Sequence, residues 1–248
     1  MEPLSLVTVI PGAEAVCPIP ELVNPGAKEA VPILEAVALY RFYHAGEQET
    51  LALRGVSLQV KAGEIVAVAG PSGSGKSTLL ACLAGLDEPD GGVVRLMGER
   101  LTRRPEAERA SMRAKGIGIL LQSGNLIEHL SVADNVRLPM VLADRADDGR
   151  VRELLAQVGL ASRAHARPRE LSGGEAARAG LAVALGAAPP LLLADEPTGE
   201  VDSATEAELL GLFKARRAAG GATLVVTHSD AVTGIADRVL RLVDGQFV

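Results

Sequence analysis

Tryptophan is absent from the 248-residue chain, and aromatic residues make up only 2% of it. With 48% hydrophobic residues, the core must therefore be assembled from Ala, Val and Leu. The length suffices for one large α/β domain, with room for an inserted subdomain. Cysteine is equally scarce. Cys17 and Cys82 cannot build a disulfide framework, which fits a reducing compartment, and Cys82 lies within an apolar helical run. Positive charge is in deficit. A net charge of −6 provides no broad basic face for nucleic acid, although it leaves room for a single phosphate pocket. No apolar run reaches the length needed to span a bilayer. The nearest, "GLAVALGAAPPLLLA", is divided by Pro189 and Pro190 into the end of a helix and the start of a strand. No Lys or Arg precedes Lys28, so the basic region of a signal peptide is lacking, and Cys17 in "EAVCPI" is not expected to carry a lipid. Internal repeats and coiled-coil heptads are missing too.

Six of the fourteen prolines fall in residues 1–34, and this stretch reads as an irregular, Pro-rich N-terminal extension. A single domain is expected over 35–248. It opens on strands and turns, "AVALYRF", "VSLQV", "EIVAVAG" and "GVVRLMG", followed by "GIGILLQ". A polar, helix-rich stretch comes next, and an inserted helical subdomain is expected over about 124–180. Within it Val151, Leu154, Leu155 and Val158 recur at helical spacing up to Gly159. "LLLAD" and "TLVVTH" are short continuous apolar runs, as expected of strands covered on both faces of a parallel sheet. "RVLRLVDGQFV" closes the chain with a hairpin turn at Asp244-Gly245. The expected fold class is α/β: a parallel-sheet core with an antiparallel β subdomain and an inserted helical subdomain.

"GPSGSGKST", residues 70–78, matches G-x-x-x-x-G-K-[ST] between the strand "EIVAVA" and the helix "STLLACLAGL", the context that this motif requires. Gly70, Gly73 and Gly75 let the backbone wrap a phosphate with its N–H groups at a helix N-terminus. The intervening Pro71, Ser72 and Ser74, and Thr78 after them, belong to the same phosphate-binding stretch. Lys76 would neutralise the β- and γ-phosphates, and Ser77 would offer its hydroxyl to Mg²⁺. Asp195, ending the apolar run "LLLADE", is placed beside that loop at the carboxyl end of a strand and suits Mg²⁺, while Glu196 suits polarisation of a water. A second phosphate-binding device stands far downstream: Ser172, Gly173 and Gly174 open a helix, with Glu175 in its first turn. One nucleotide does not need both.

Taken together, the phosphate loop, "LLQ" with Gln122, "LSGGE", "LLLADEP", "EVD" and "TH" with His228 resemble the nucleotide-binding subunit of an ATP-binding cassette (ABC) transporter over about residues 35–248. The resemblance implies a P-loop NTPase fold, Mg-ATP as ligand and ATP hydrolysis. It implies that Gln122 senses the γ-phosphate and Mg²⁺, that His228 contacts the γ-phosphate, and that Tyr43, rather than Tyr40, stacks on adenine. Two cassettes of this family close head to tail, so Ser172, Gly173, Gly174 and Glu175 would cover a partner's nucleotide, and Asp202 would cross the same interface. The implied partners are a second cassette and a separate transmembrane permease, with the chain cytoplasmic and peripheral on the inner face of the membrane. A regulatory cassette that transmits an ATP-driven signal without transport is the alternative. A soluble ATPase working on DNA is disfavoured by the acidic charge and by the lack of long coiled coils.

"DEPTGEVDSAT" resembles the "DEPTGNLDSAT" typical of lipoprotein-releasing, macrolide-exporting and cell-division cassettes. Glu200 and Val201 depart from that pattern. Ala176 and Ala177 replace the usual polar pair after "LSGG", Arg178 is kept, and Val183 stands where a second Arg is usual. His44, His129 and His165 have no partners at metal-ligand spacing and read as ordinary surface residues.

Overall fold

Strands covered on both faces need side chains that avoid water on both sides, and "IVAVA", "LLLAD" and "ATLVV" supply them. In the computed structural model, which describes residues 31–45, 48–199 and 201–248, each forms an interior strand of one sheet. Of the expected Pro-rich extension 1–34, residues 1–30, Cys17 among them, lie outside the described residues, as do the His44 side chain and Glu200, whereas Leu34 is buried as the first residue of a strand.

The chain opens with two long antiparallel strands, β1 (Leu34–Ala45) and β2 (Gln48–Val60), then β3 (Ile65–Ala69) and helix α1 (Lys76–Leu83). Next come β4 (Gly91–Leu96), β5 (Glu99–Arg100), α2 (Glu106–Gly116) and β6 (Ile117–Leu120). Helices α3 (Val132–Leu142), α4 (Asp148–Gln157) and α5 (Gly173–Leu185) follow. The chain ends with β7 (Leu191–Asp195), α6 (Ser203–Ala218), β8 (Ala222–Val226), α7 (Asp230–Thr233), β9 (Arg238–Val243) and β10 (Gln246–Phe247). One sheet has four strands in the order β2-β1-β4-β5, all antiparallel pairs. The other has six, in the order β10-β9-β3-β8-β7-β6, parallel except for the terminal hairpin. The expected α/β class is observed. Asp244 and Gly245 both have positive φ, the conformation a two-residue hairpin turn demands.

Register fixes where the strand ends fall. Val68 pairs with Val226, Val226 with Asp195, and Ala194 with Leu120. The carboxyl ends of β3, β8, β7 and β6 therefore lie side by side. Every loop leaving those ends emerges at one edge of the sheet, where open α/β folds bind ligands.

Three clusters of buried side chains hold the fold, and Leu, Val, Ala and Ile dominate them, as the scarcity of aromatics required. One lies between the antiparallel sheet, α1 and the parallel strands, and it includes Cys82, whose thiol burial pushes up to about 12. A second packs α5 and α6 on the opposite face, around Phe213. The third joins α3, α4 and α5 and contains all four residues of the helical repeat, Val151, Leu154, Leu155 and Val158. Asp147 caps α4 by accepting from the amides of Gly149 and Arg150, and Gly159 takes a φ of +70° just beyond its end. Helix α5 ends at Leu185, and Pro189-Pro190 precede β7, so the long apolar run divides where its prolines stand. No helix of the described residues is long and apolar enough to cross a membrane. Helix α2 has no counterpart among the sequence expectations: Gly116 is its one buried residue, so no apolar stripe marks it.

Phe213 is 1% exposed and is the largest fully buried side chain. Phe213→Ala is expected to lower the unfolding free energy by about 3–5 kcal/mol, through lost burial plus the cavity left behind. Equilibrium denaturant titration measures it.

Candidate functional site

β3 ends at Ala69, and the chain must then turn without interrupting the neighbouring backbone. A Cβ on Gly70 would lie 2.1 Å from the Leu242 carbonyl oxygen, and one on Gly75 would lie 2.4 Å from the Ala52 carbonyl oxygen. Gly75 also carries a φ of +100° as it begins α1, and Gly73 a φ of +78°. Glycine is thus required at 70 and 75 by close approach, and at 73 and 75 by backbone conformation. The Lys76 ammonium donates to the carbonyls of Gly70 and Pro71, both at 2.9 Å, which holds it over the loop. Ser74 is buried, and its hydroxyl finds no protein partner.

A cleft of about 800 Å³ opens over this loop. Gly70, Pro71, Ser72, Gly73 and Gly75 form its floor, and Lys76, Ser77 and Thr78 enter it from the first turn of α1. Gln122 reaches it from beyond β6, Asp195 and Glu196 from the end of β7, and His228 from just beyond β8. Register brings these four residues together, as the aligned strand ends require.

Asp195 is half-buried, with the Ser77 hydroxyl beside its carboxyl. Burial lifts its carboxyl above the ordinary carboxylate range. The Ser77 hydroxyl opposes the lift, the Glu196 charge adds to it, and Lys76 opposes it. Glu196 has a φ of +45°, a strained conformation for a non-glycine residue. Its amide donates to the Val226 carbonyl at 2.9 Å, which locks that conformation to the end of β8. Both of its carboxylate oxygens meet His228: Oε1 lies 2.9 Å from Nδ1, and Oε2 accepts from the backbone amide at 3.2 Å. The imidazole itself stays largely exposed.

Ser77, Asp195 and Gln122 line the cleft together, and oxygen donors of their kinds suit a hard divalent cation. Among the described residues no group of three or more His, Cys, Asp or Glu side chains is placed to hold a metal. A magnesium ion here would therefore take its remaining ligands from water and substrate phosphate, as that ion ordinarily does.

Tyr43 lines the same cleft. Its hydroxyl donates to Asp87 at 2.8 Å, and the Arg41 guanidinium lies 4.7 Å from its ring centre. Arg41 is itself gripped by both oxygens of Asp87 at 2.8 Å and by Asp90 at 3.0 Å. Tyr40, by contrast, packs over Gly55 and Gly91, within about 3 Å of where their Cβ atoms would stand, and does not line the cleft. Thr50, Leu51, Ala52, Arg54, Asp244 and Gly245 also line the cleft and were not expected to. No motif marks them, because they are brought in by pairing of β2 and by the β9–β10 turn.

Ser172, Gly173, Gly174, Glu175 and Asp202 do not line this cleft. The first four begin α5 with a reciprocal cap: the Glu175 amide donates to the Ser172 hydroxyl at 3.2 Å, and the Ser172 amide donates to the Glu175 carboxylate at 2.8 Å. That backbone bond, with Arg163 at 3.0 Å, holds the Glu175 carboxyl below its ordinary range. Gly174 packs on Thr205, whose Oγ1 is 2.6 Å from where a Cβ would stand. Gly173 meets no heavy atom within 4 Å of that position, and Ser172 and Gly173 are exposed. Asp202 caps α6. His129 and His165 are exposed, as expected of surface residues.

A phosphate loop opening α1 beside a strand ending in two carboxylates defines a P-loop nucleoside triphosphatase. Residues 53–199 match the sequence model of the family described as "ABC transporter". The chain is 42% identical over 219 residues to the macrolide export ATP-binding/permease protein MacB of Chlorobium luteolum, covering 88% of this chain and 33% of MacB. It thus spans about a third of the length of that relative. It is 40% identical over 218 residues to the lipoprotein-releasing system ATP-binding protein LolD of Chromohalobacter salexigens, covering 86% of this chain and 92% of LolD. The ATP-binding cassette MJ0796, solved as a dimer in a post-hydrolysis state bound to ADP and Pi, superposes with a TM-score of 0.82 at 34% identity, covering 86% of this chain and 96% of that one. The chain belongs to the ABC transporter family and is similar over its cassette to MacB and LolD.

Gly75→Ala is expected to cost at least about 1–2 kcal/mol from its φ alone, and more from the clash with Ala52. It should also weaken ATP binding, because the loop cannot keep its curl. Denaturant titration and nucleotide titration measure the two effects separately.

Proposed function

We propose that the chain binds Mg-ATP in the cleft over residues 70–78, closes head to tail on a second cassette, and drives a separate transmembrane permease. One observation supports this above the rest. The chain carries two phosphate-binding devices, and its fold gathers only one of them around the cleft. Ser172 and Gly173 stand exposed at the start of α5, and nothing within the chain demands a glycine at 173. An exposed helix N-terminus fits an anion held by another molecule. In a head-to-tail pair Ser172, Gly173, Gly174 and Glu175 cover the partner's γ-phosphate, and Asp202 crosses the same interface.

Within the cleft the roles follow from position. The loop amides and Lys76 bind the β- and γ-phosphates, and the Tyr43 ring, steadied by Arg41 and Asp87, stacks on the base. Ser77, Asp195 and Gln122 hold the magnesium ion, which supplies neutralisation of phosphate charge when bound. Glu196 accepts a hydrogen bond from the attacking water and aims it. His228 fixes the Glu196 carboxylate through both oxygens and presents its exposed imidazole to the γ-phosphate. Little covalent work falls to the protein in phosphoryl transfer, so positioning of this kind carries the rate.

The permease docks on the face formed by the Gln122 loop and helices α3 to α5, and holds the cassette at the inner face of the membrane. The names of MacB and LolD support membrane-linked work of this sort, MacB uniting ATP-binding and permease parts in one protein.

Two experiments test the reading. Glu196→Gln is expected to retain ATP binding and to lower turnover by about a hundredfold or more, since the amide cannot polarise water as the carboxylate does. It should accumulate an ATP-bound dimer in size-exclusion chromatography; turnover near the parent rate rejects the role. For the head-to-tail arrangement, one chain carries Lys76→Ala and another Ser172→Arg. Each homodimer then has two spoiled sites, whereas a mixed dimer has one spoiled twice and one intact. ATP occlusion should return in the mixture alone. Mixed dimers that form, as shown by differential tags, and occlude nothing reject it.

A further inference from the structure

Helix α6 begins where two sets of residues meet that the proposed function assigns to different nucleotides. Ser229 directly follows His228. Its amide donates to the Thr227 hydroxyl at 2.9 Å, and its own hydroxyl donates to Glu206 Oε1 at 2.9 Å. Glu206 lies in the first turn of α6 and does not line the nucleotide cleft. Its neighbour Thr205 is 5% exposed and donates to Asp202 twice, from its amide at 2.9 Å and from its hydroxyl at 3.2 Å. The other side of that hydroxyl is packed on Gly174.

These contacts form a continuous path. It runs from Glu196 to His228, from Ser229 to Glu206, and through the first turn of α6 to Asp202 and to Gly174 at the start of α5. Backbone continuity, the Thr205–Asp202 bonds or packing carry every step but two. The Glu196–His228 step lies inside the site already described. The remaining step is the bond between Ser229 and Glu206, which joins segments 23 residues apart.

The geometry points to Glu206 as a positioning residue that, by holding Ser229, keeps His228 at this chain's own nucleotide in step with Asp202 and the Ser172-Gly173-Gly174 segment at the partner's nucleotide. This rests on the head-to-tail reading above. A carboxylate accepting from a hydroxyl is a strong, directional bond. Asp202 caps the turn that carries Glu206, and Thr205 of that turn stands against Gly174. A displacement of His228 is therefore passed to the start of α5 instead of being absorbed by side-chain rotation. Glu206 also places negative charge near a helix N-terminus, which favours α6 by itself. Glutamine separates the two roles, since it drops the charge and keeps an oxygen that accepts from Ser229.

The mixed dimer with one intact site provides the test. Its phosphate loop and His228 come from the Ser172→Arg chain, and its Ser-Gly-Gly segment and Asp202 come from the Lys76→Ala chain. Glu206→Ala is placed on either chain in turn, and the rate of ATP occlusion at the intact site is read. A fall on the order of tenfold is expected in both arrangements, the scale of one lost hydrogen bond to a charged group. Glu206→Gln is expected to restore the rate in both, with thermal unfolding of all variants near that of the parent. A fall confined to the chain supplying His228 reduces the effect to local support of that loop. A fall confined to the other chain reduces it to capping of α6. Either result, no fall at all, or an equal fall with glutamine overturns the proposal. A mixed dimer that occludes nothing before Glu206 is changed overturns the head-to-tail reading instead, and this inference falls with it.

Discussion

The carbonyl oxygen of Ala52 stands 2.4 Å from where a Cβ on Gly75 would be and 2.7 Å from where one on Gly245 would be. On the far side of the phosphate loop, Leu242 leaves Gly70 no space for a side chain either. The loop is thus wedged between β2 of the antiparallel sheet and the β9–β10 hairpin of the parallel sheet. Gly245 reinforces the wedge by donating to the Ser74 carbonyl at 3.0 Å, and Arg54 donates to the Gly245 carbonyl at 2.8 Å. The curl that points amide groups at a phosphate is therefore not a property of the loop alone. Both sheets impose it, and both contribute residues to the cleft because they must touch there.

The same economy appears at Glu196. A glutamate at a φ of +45° is strained, at a cost of order 1–3 kcal/mol, and such a conformation lasts only where its surroundings over-determine it. The bond from its amide to Val226 and the grip of His228 on both carboxylate oxygens do so. The strain turns the side chain out of the strand direction and into the cleft beside Asp195. Burial of Asp195 has a parallel effect. A carboxyl lifted by desolvation and by a neighbouring negative charge would gain from a cation placed beside it.

Much of this was legible in the sequence because the informative features are local. Three buried strands announce themselves as unbroken apolar runs, the phosphate loop as glycines at fixed spacing, and α4 as a helical repeat ended by Gly159. What stayed hidden is what pairing and packing assemble. Helix α2 has almost no buried face, its arginines instead joining acidic neighbours, as Arg109 does with Glu88 and Glu106. Arg54 and Thr50 reach the cleft only through the pairing of β2. The grip of Asp87 and Asp90 on Arg41 spans more than forty positions, as does the bond from Tyr43 to Asp87. The capping box at Ser172 and Glu175 was visible as a local pattern. Its place outside the cleft was expected only through the family resemblance, since distance between segments is set by the sheet.

The departures from the family pattern acquire physical sense once α5 is seen between its neighbours. Val183 packs against the cluster that joins α3, α4 and α5, where a charged side chain would lose its water. Arg178, which is kept, pairs with Glu208 of α6 at 2.8 Å. Helix α5 is thereby tied to α6 at two levels, by that ion pair and by the contact of Gly174 with Thr205. Ala176, Ala177 and Val201 line one groove of about 290 Å³, together with Gln122 and Glu196. Small side chains at 176 and 177 keep that groove open beside the strained glutamate. The substitutions thus leave the phosphate loop, Asp195 and His228 untouched. Ala176, Ala177 and Val201 fall on the surface between the Gln122 loop and the start of α5.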